Sequence, residues 1–366
     1  MKDIKAYCAA LAVLLCAAEA QAQATRRVTA ENYNDYGLVY ELPSTALNIT
    51  LKAEHTVYTA GPFARYSRKY TGTDASVKEN LLTWDLISAK AVPYGIVTQE
   101  SEAYRIQLKP NSTAYLSTTA DGMLLTINSE PAEPYKPALP DNRFTRTGLP
   151  ELTGEEYLSY VSEDFLSATS SAMKARMLSE SLAEVKDSRL GLTRGTSDIT
   201  PSDGRQLDLM LSSLAEQENA LTAAFNGSVR KEEGEISVSF VPDKEGRYVI
   251  ARLSDEKGFT DPSDLSGEPV YLTVKVTRKG EIPEDAKGNP KELPKDAVAY
   301  CIPGAAEITV ECGGREFLRM ETEFAQYGSV FGLSPQIFTD KKDPKYAVFS
   351  PVTGNVVEIG SARSLE

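Results

Sequence analysis

The sequence predicts a mainly β, α+β protein: two related antiparallel β-sandwich-like modules flanking a central helical hairpin with strands of its own. Three observations lead there. Apolar residues alternate with polar ones in short runs, as in Leu47, Ile49, Leu51 and in Tyr104, Ile106, Leu108. Two stretches between about 164 and 226 repeat instead at helical spacing. A set of short motifs recurs in one order near both ends of the chain.

Residues 1–22 read as a signal peptide: Lys2 and Lys5, an apolar run from Tyr7 to Ala18, then Ala20-Gln21-Ala22 before Gln23. That core is too short to span a bilayer, and no later stretch approaches about 20 apolar residues, so no transmembrane helix is expected in the mature chain. Cys16 follows Leu14-Leu15, where lipid attachment needs a small residue, which argues against a lipid anchor. An exported protein, soluble or peripherally attached, is the expectation.

The alternating runs from 33 to 130 form an N-terminal β module, with Pro62 to Tyr70 as a helical turn or loop packing aromatic residues. Pro131, Pro134, Pro137, Pro140 and Pro150 make 131–150 a linker, because proline lacks the donor that helix and sheet ladders need. A helical hairpin occupies 151–230. Its first helix is expected from Asp164 to Ser188, with Ala175, Leu178, Leu182 and Val185 on one stripe. The second follows Pro201-Ser202-Asp203, an N-cap signal, and ends at Asn226-Gly227, with Leu207, Leu211, Leu214, Leu221 and Phe225 on one face. Central strands follow over 231–280, then a charged, Pro-rich linker over 281–296 and a C-terminal β module over 297–361.

The two β ends echo one another. Tyr40-Glu41-Leu42-Pro43 with Ala46 and Ile49-Thr50 matches Tyr300-Cys301-Ile302-Pro303 with Ala306 and Ile308-Thr309. Tyr94-Gly95 matches Tyr327-Gly328, Tyr104-Arg105-Ile106 matches Tyr346-Ala347-Val348, and Gly122 to Ile127 matches Gly354 to Ile359. Reading Pro303-Gly304 as the centre of a hairpin sets Cys301 opposite Ala306 and Cys312 opposite Lys295. Their offset of about 20 Å, at about 3.3 Å per residue, predicts two separate thiols and no disulfide.

Charge and residue usage exclude several functions. With 39 Lys+Arg against 52 Asp+Glu the net charge is −13, which repels nucleic acid and anionic membrane faces. The single histidine, His55, makes multi-histidine metal sites impossible and leaves any histidine-based triad resting on one residue. It lies on an inward-facing strand parity with no serine in an activating motif, so it reads as a packed or rim residue. The acidic stretch Asp255 to Glu268 lacks the Asp-x-Asp-x-Asp-Gly spacing of a calcium loop and reads as a connection whose Asp and Ser side chains accept backbone hydrogens.

Glu218 falls in the middle of the second helix's apolar stripe, and Arg189 lies on the other arm of the hairpin. The sequence therefore suggests an Arg189–Glu218 pair fastening the two helices. Tyr58, Phe63, Tyr66, Tyr70 and Trp84, with Tyr94, are candidate ligand-stacking residues if exposed and core fillers if buried. Asn48-Ile49-Thr50 and Asn226-Gly227-Ser228 are formal glycosylation triplets and carry little weight.

Gly37-Leu38-Val39-Tyr40-Glu41-Leu42-Pro43, Gly61-Pro62-Phe63-Ala64, Phe225-Asn226-Gly227, Gly258-Phe259-Thr260-Asp261, Leu265-Ser266-Gly267-Glu268-Pro269, Gln326-Tyr327-Gly328 and Pro351-Val352-Thr353-Gly354 together resemble an uncharacterised secreted family, domain of unknown function 4831. The resemblance covers nearly the whole mature chain. It implies an envelope protein of Gram-negative gut-type bacteria, exported to the periplasm or associated with the outer membrane, and transfers no catalytic, cofactor-binding or metal-binding residue. The expected function is a non-catalytic interaction or scaffold component of the envelope, needing no cofactor and meeting an unknown envelope protein or a glycan. One alternative is a carbohydrate-binding protein using the aromatic residues of the N-terminal module; the other is a carboxylate-based hydrolase.

Overall fold

The computed structural model describes residues 38–98, 101, 103–106, 114–137, 154–197, 203–291 and 297–362. The expected signal peptide, the linker beyond Pro137 up to Gly154, and Lys295 lie outside the described residues. In chain order, β1 (Leu38–Glu41) turns through Leu42-Pro43 into the long β2 (Ser44–Thr59). A 3-10 turn (Ala64–Tyr66) and the short α1 (Ser67–Thr71) precede β3 (Leu81–Ile96), β4 (Ala103–Ile106), β5 (Leu116–Thr118) and β6 (Leu124–Ile127). A second 3-10 turn (Glu156–Tyr160) leads to α2 (Glu163–Ser167), α3 (Ser171–Arg194) and α4 (Gly204–Asn226). Strands β7 (Ser228–Phe240), β8 (Gly246–Ser254), β9 (Gly258–Thr260), β10 (Glu268–Arg278), β11 (Val298–Cys312) and β12 (Arg315–Leu333) follow. After a 3-10 turn (Pro335–Phe338), β13 (Lys345–Phe349) and β14 (Val356–Ser361) close the described chain.

The strands form four antiparallel sheets, ordered β1-β4, β3-β2-β7, β12-β11-β10-β8-β9 and β14-β13-β6-β5. The mainly β class with a helical hairpin therefore stands. Leu47, Ile49 and Leu51 of β2 share one core with Ile250, Leu272, Val274, Ile308, Val310 and Phe324 of the five-stranded sheet. The alternation in β2 has this cause: every second residue enters that core, and the others face away.

A second core joins the two ends of the chain. Tyr40, Leu42, Ile106, Leu124 and Ile127 pack with Val298, Phe338, Ala347 and Phe349, and the Tyr40 hydroxyl donates to the Ala299 carbonyl at 3.0 Å. In the same region β6 pairs with β13, Ile127 facing Ala347. The terminal strands thus share a sheet, and the segments 33–130 and 297–361 interlock rather than standing apart as separate sandwiches. The physical reason is that β5 and β6 span three and four residues, too few to bury an apolar face without the β13-β14 hairpin beside them.

The third core belongs to the helices, where Ala175, Leu178 and Leu182 of α3 meet Leu221, Ala224 and Phe225 of α4 around Phe63, Tyr157 and Phe165. The start of α4 is as expected, the Asp203 side chain accepting from Gln206 N–H at 2.8 Å, and Gly227 follows its last residue. The first helix departs from the expected 164–188. Ser162 caps the separate α2, the backbone is extended at Ala168, and α3 runs on to Arg194, where Gly195 at φ +69° ends it.

The Pro303-Gly304 hairpin does not exist. β11 passes straight through it, its register against β12 slipping between Ile302 and Gly304. Proline fits such a bulge because no ladder donor is lost there. Cys301 faces Val330 and Cys312 faces Arg315. Both are free and buried; eleven residues of one strand hold them about 36 Å apart at about 3.3 Å per residue.

Among the repeated motifs, some correspondences reappear as equivalent bonds. The residue after each tyrosine donates to the matched glycine carbonyl: Glu41 N–H to Gly122 at 2.9 Å, and Cys301 N–H to Gly354 at 3.0 Å. The matched turns close alike, Thr119 N–H donating to Met123 and Ser350 N–H to Asn355. The match of Tyr104–Ile106 with Tyr346–Val348 fails. The former pairs with β1, the latter with β14, with Val348 also facing Thr126 of β6, because position in the ladder follows burial of the whole strand and not a three-residue motif.

Candidate binding cleft

The end of β3, the β5–β6 turn, the segment Pro134–Pro137 and the β13–β14 turn surround a cleft of about 670 Å³. Tyr94, Val97, Thr119, Asp121, Met123, Tyr135, Lys136, Ser239, Pro351 and Val352 are among its lining residues. The prolines at 131, 134 and 137 recur at the period of a polyproline II helix, which sets them on one side. Within 131–137 Pro134 and Pro137 are half-buried while Pro131 is exposed, so the segment meets the protein at its second and third prolines. Between them Tyr135 stays 53% exposed.

Tyr94 is fixed from below, its hydroxyl lying 2.6 Å from the Ser239 Oγ. Strand register continues this polar corner onto the sheet. Asn48 faces Ser239 across β2–β7 and Val92 across β2–β3, and Ala46 faces Tyr94. Alternate residues share a face, so Asn48, Thr50, Ser237 and Ser239 form a row turned away from the Leu47–Ile49–Leu51 core. Thr50 and Ser237 hydroxyls are 3.4 Å apart. Asn48 is 9% exposed and its Oδ1 has no hydrogen-bond partner.

The residues singled out in the sequence lie elsewhere. Phe63 is buried in the helical core, with Tyr66 and Tyr70 packed against it, so these three fill space. Trp84 stacks on His55 with ring centroids 4.5 Å apart and lies against Gly234 and Gly258. Ten residues of β3 place it about 33 Å from Tyr94, at about 3.3 Å per residue. Tyr58, half-buried on β2, faces Leu81 and Val229. The aromatic residues of the N-terminal segment therefore make no common stacking face. Sequence reasoning overlooked Tyr135 as a linker residue and Asn48 as an irrelevant triplet; the three-residue proline period was the available signal for the former.

His55 sits beside Glu232 and Trp84, and burial pushes its pKa down, a nearby Arg230 adding to the effect and Glu232 opposing it. In the acidic stretch, Asp261 accepts from the Ser263 hydroxyl and N–H, and Asp264 accepts from Ser266 N–H and pairs with Lys257 at 3.0 Å. These bonds hold Asp264 at about 2, hydrogen bonds from Ser266 being the largest cause. The carboxylates are thus occupied as turn acceptors. Among the described residues no group of three or more His, Cys, Asp or Glu is placed to hold a metal ion.

Arg189 of α3 and Glu218 of α4 stand 3.0 Å apart, the carboxylate 16% and the guanidinium 44% exposed. The contact is electrostatic only. Glu218 Oε2 is buried and receives no hydrogen bond, because the guanidinium N–H groups are not aimed at it. Among the described residues no helix is long and apolar enough to cross a membrane.

Four antiparallel sheets, a helical hairpin and a tyrosine- and proline-lined surface cleft define a mainly β protein. The chain belongs to the family described as Domain of unknown function (DUF4831), whose model matches residues 36–357. Searches among curated proteins and among solved structures return no match.

Proposed function

We propose that this protein is an exported, non-catalytic interaction or scaffold component of the bacterial envelope, meeting its partner at the Tyr94–Tyr135 cleft. The observation that carries the reading is the cleft's chemistry. Aromatic rings, prolines and hydroxyls dominate its walls, groups that bind and orient; Asp121 is the one carboxylate among its lining residues. Export is supported by the charged, apolar and small-residue order of residues 1–22. An envelope role accords with the acidic balance of −13, which favours solubility and disfavours nucleic acid.

The test is a photo-crosslinking amino acid placed at position 135 of the protein expressed in its own host, followed by fractionation and mass spectrometry. The expected result is a chain beginning at Gln23 in the envelope fraction, carrying a specific adduct that the same probe at exposed Leu209 does not form. A full-length chain in the cytoplasm, or no adduct specific to position 135, overturns the reading.

A further inference from the structure

We propose that the cleft is a carbohydrate site that takes a neutral glycan, with a sugar ring against Tyr135 and Tyr94 and its hydroxyls read by the polar row beginning at Ser239 and Asn48. This rests on the reading above and specifies its ligand. Four observations carry it.

Tyr135 is an exposed aromatic residue on a backbone stiffened by Pro134 and Pro137, so presenting its ring costs little ordering entropy on binding. An aromatic ring with a polar tip suits a sugar, which has an apolar C–H face and a hydroxylated edge. The cleft's volume, about 670 Å³, falls within the range of about 300–1,000 Å³ for small-ligand sites. The polar row supplies donors and acceptors together, and Asn48, nine-tenths buried, keeps an unpartnered Oδ1 on the face it shares with Ser239. A buried acceptor without a partner is unfavourable unless a hydroxyl or a bridging water completes it; Asn48 is not among the cleft's lining residues, so a glycan edge beside Tyr94 reaches it through a water bridging from Ser239. The net charge of −13 selects against uronic-acid and sulfated polymers.

The experiment is calorimetric titration of the full mature chain with hexasaccharides of α-1,4-glucan, β-1,4-mannan and β-1,4-xylan, with oligogalacturonate as the charged comparison. At least one neutral oligosaccharide is expected to saturate at one site. Tyr135→Ala is expected to weaken it at least tenfold at unchanged Tm, and Asn48→Ala and Ser239→Ala severalfold each. Tyr115→Ala, an exposed tyrosine not among the cleft's lining residues, should leave affinity unchanged. The proposal is overturned if no neutral glycan binds, if oligogalacturonate alone binds, or if Tyr135→Ala binds as well as the parent. A polypeptide adduct at position 135 with no glycan binding removes the glycan and keeps the interaction reading; absence of both removes both.

Discussion

Thr45 and Gln326, 281 residues apart, bond each other in both directions: Thr45 N–H donates to Gln326 Oε1 at 3.0 Å, and Gln326 Nε2 donates to the Thr45 carbonyl at 2.9 Å. The same Nε2 donates to the Pro242 carbonyl at 3.1 Å, while the fully buried Thr45 hydroxyl donates to Val352 and accepts from Ala325 N–H. One amide side chain therefore acts as a strand partner for β2, and the knot ties the beginning, middle and end of the chain beside the cleft. Removing it strands buried donors and acceptors. Gln326→Ala is expected to destabilise by about 2–4 kcal/mol, and Gln326→Glu also, because a carboxylate cannot donate to two carbonyls. Thr45→Ser, which keeps the hydroxyl, should lose less than about 1 kcal/mol. Urea unfolding monitored by far-UV circular dichroism checks the order; equal losses for all three would refute the knot.

The two Tyr-Gly motifs make a sharper comparison. A Cβ at Gly95 would lie 1.8 Å from the Pro351 carbonyl oxygen, and one at Gly328 would lie 2.3 Å from that of Ile302. Backbone cannot yield as a side-chain tip can. Gly95→Ala and Gly328→Ala are each expected to destabilise by more than about 3 kcal/mol, whereas Gly204→Ala, with open space around it, should stay within about 1 kcal/mol. Thermal melts of the three variants give the answer, and a Gly95→Ala protein melting like the parent would contradict the close approach.

The interhelical pair should contribute little. Arg189 is nearly half exposed and aims no N–H at Glu218, so Coulomb attraction is screened and the carboxylate's desolvation is poorly compensated. Glu218→Ala is expected to change stability by less than about 1 kcal/mol, and a double-mutant cycle with Arg189→Ala should give coupling below about 1 kcal/mol. Glu218→Leu, which continues the apolar stripe, should be neutral or stabilising. A coupling above about 2 kcal/mol would show a true buried salt bridge.

The buried thiols predict alkaline sensitivity. Burial pushes Cys301 up to about 12 and Cys312 up to about 11, and it raises Tyr40 as well. The Tyr327 hydroxyl, which donates to the Pro242 carbonyl at 2.9 Å, is raised chiefly by the same burial. An acid whose folded pKa is raised contributes stability below its unfolded pKa, near 9 for these thiols, and loses it as pH climbs toward the folded value. Stability is expected to be flat from pH 7 to 8 and to fall by about 1 kcal/mol per buried thiol by pH 10. Ellman's reagent should find both thiols inert in the native protein and reactive after unfolding. Prompt native reaction at pH 8 would contradict their burial.

The acidic stretch yields a ligand-removal prediction. Because Asp261 and Asp264 already accept from Ser263, Ser266 and Lys257, millimolar calcium and excess chelator should give the same Tm. A rise of several degrees with calcium would require these turns to reopen around an ion.

Some of this molecule was legible in the chain itself. The alternation of Leu47, Ile49 and Leu51, the cap at Asp203 and the Leu221–Phe225 end of the second helix's apolar stripe are local patterns, set by side-chain period and backbone donors within a few residues. Each lies where its pattern puts it, whereas Leu207, Leu211 and Leu214 stay half-buried outside the helical core. Glu218 could be noticed as out of place because a carboxylate in an apolar stripe is conspicuous whatever surrounds it. The partners of those elements were another matter. Pro303-Gly304 suits a turn and a bulge equally, and only the continuous ladder of β11 against β12 selects the bulge.

Residue order was enough to establish a mainly β chain and a helical hairpin, because these follow from local periodicity; the separation of the two cysteines came from the unbroken β11, not from the expected hairpin. Long-range packing selected the rest: β6 joins β13, Phe63 is buried while Tyr135 is exposed, and Tyr94, Asn48 and Ser239 meet at one corner. Those outcomes depend on which remote strands cover one another's apolar faces, a contest of burial among surfaces far apart in the chain that no short window of residues can express.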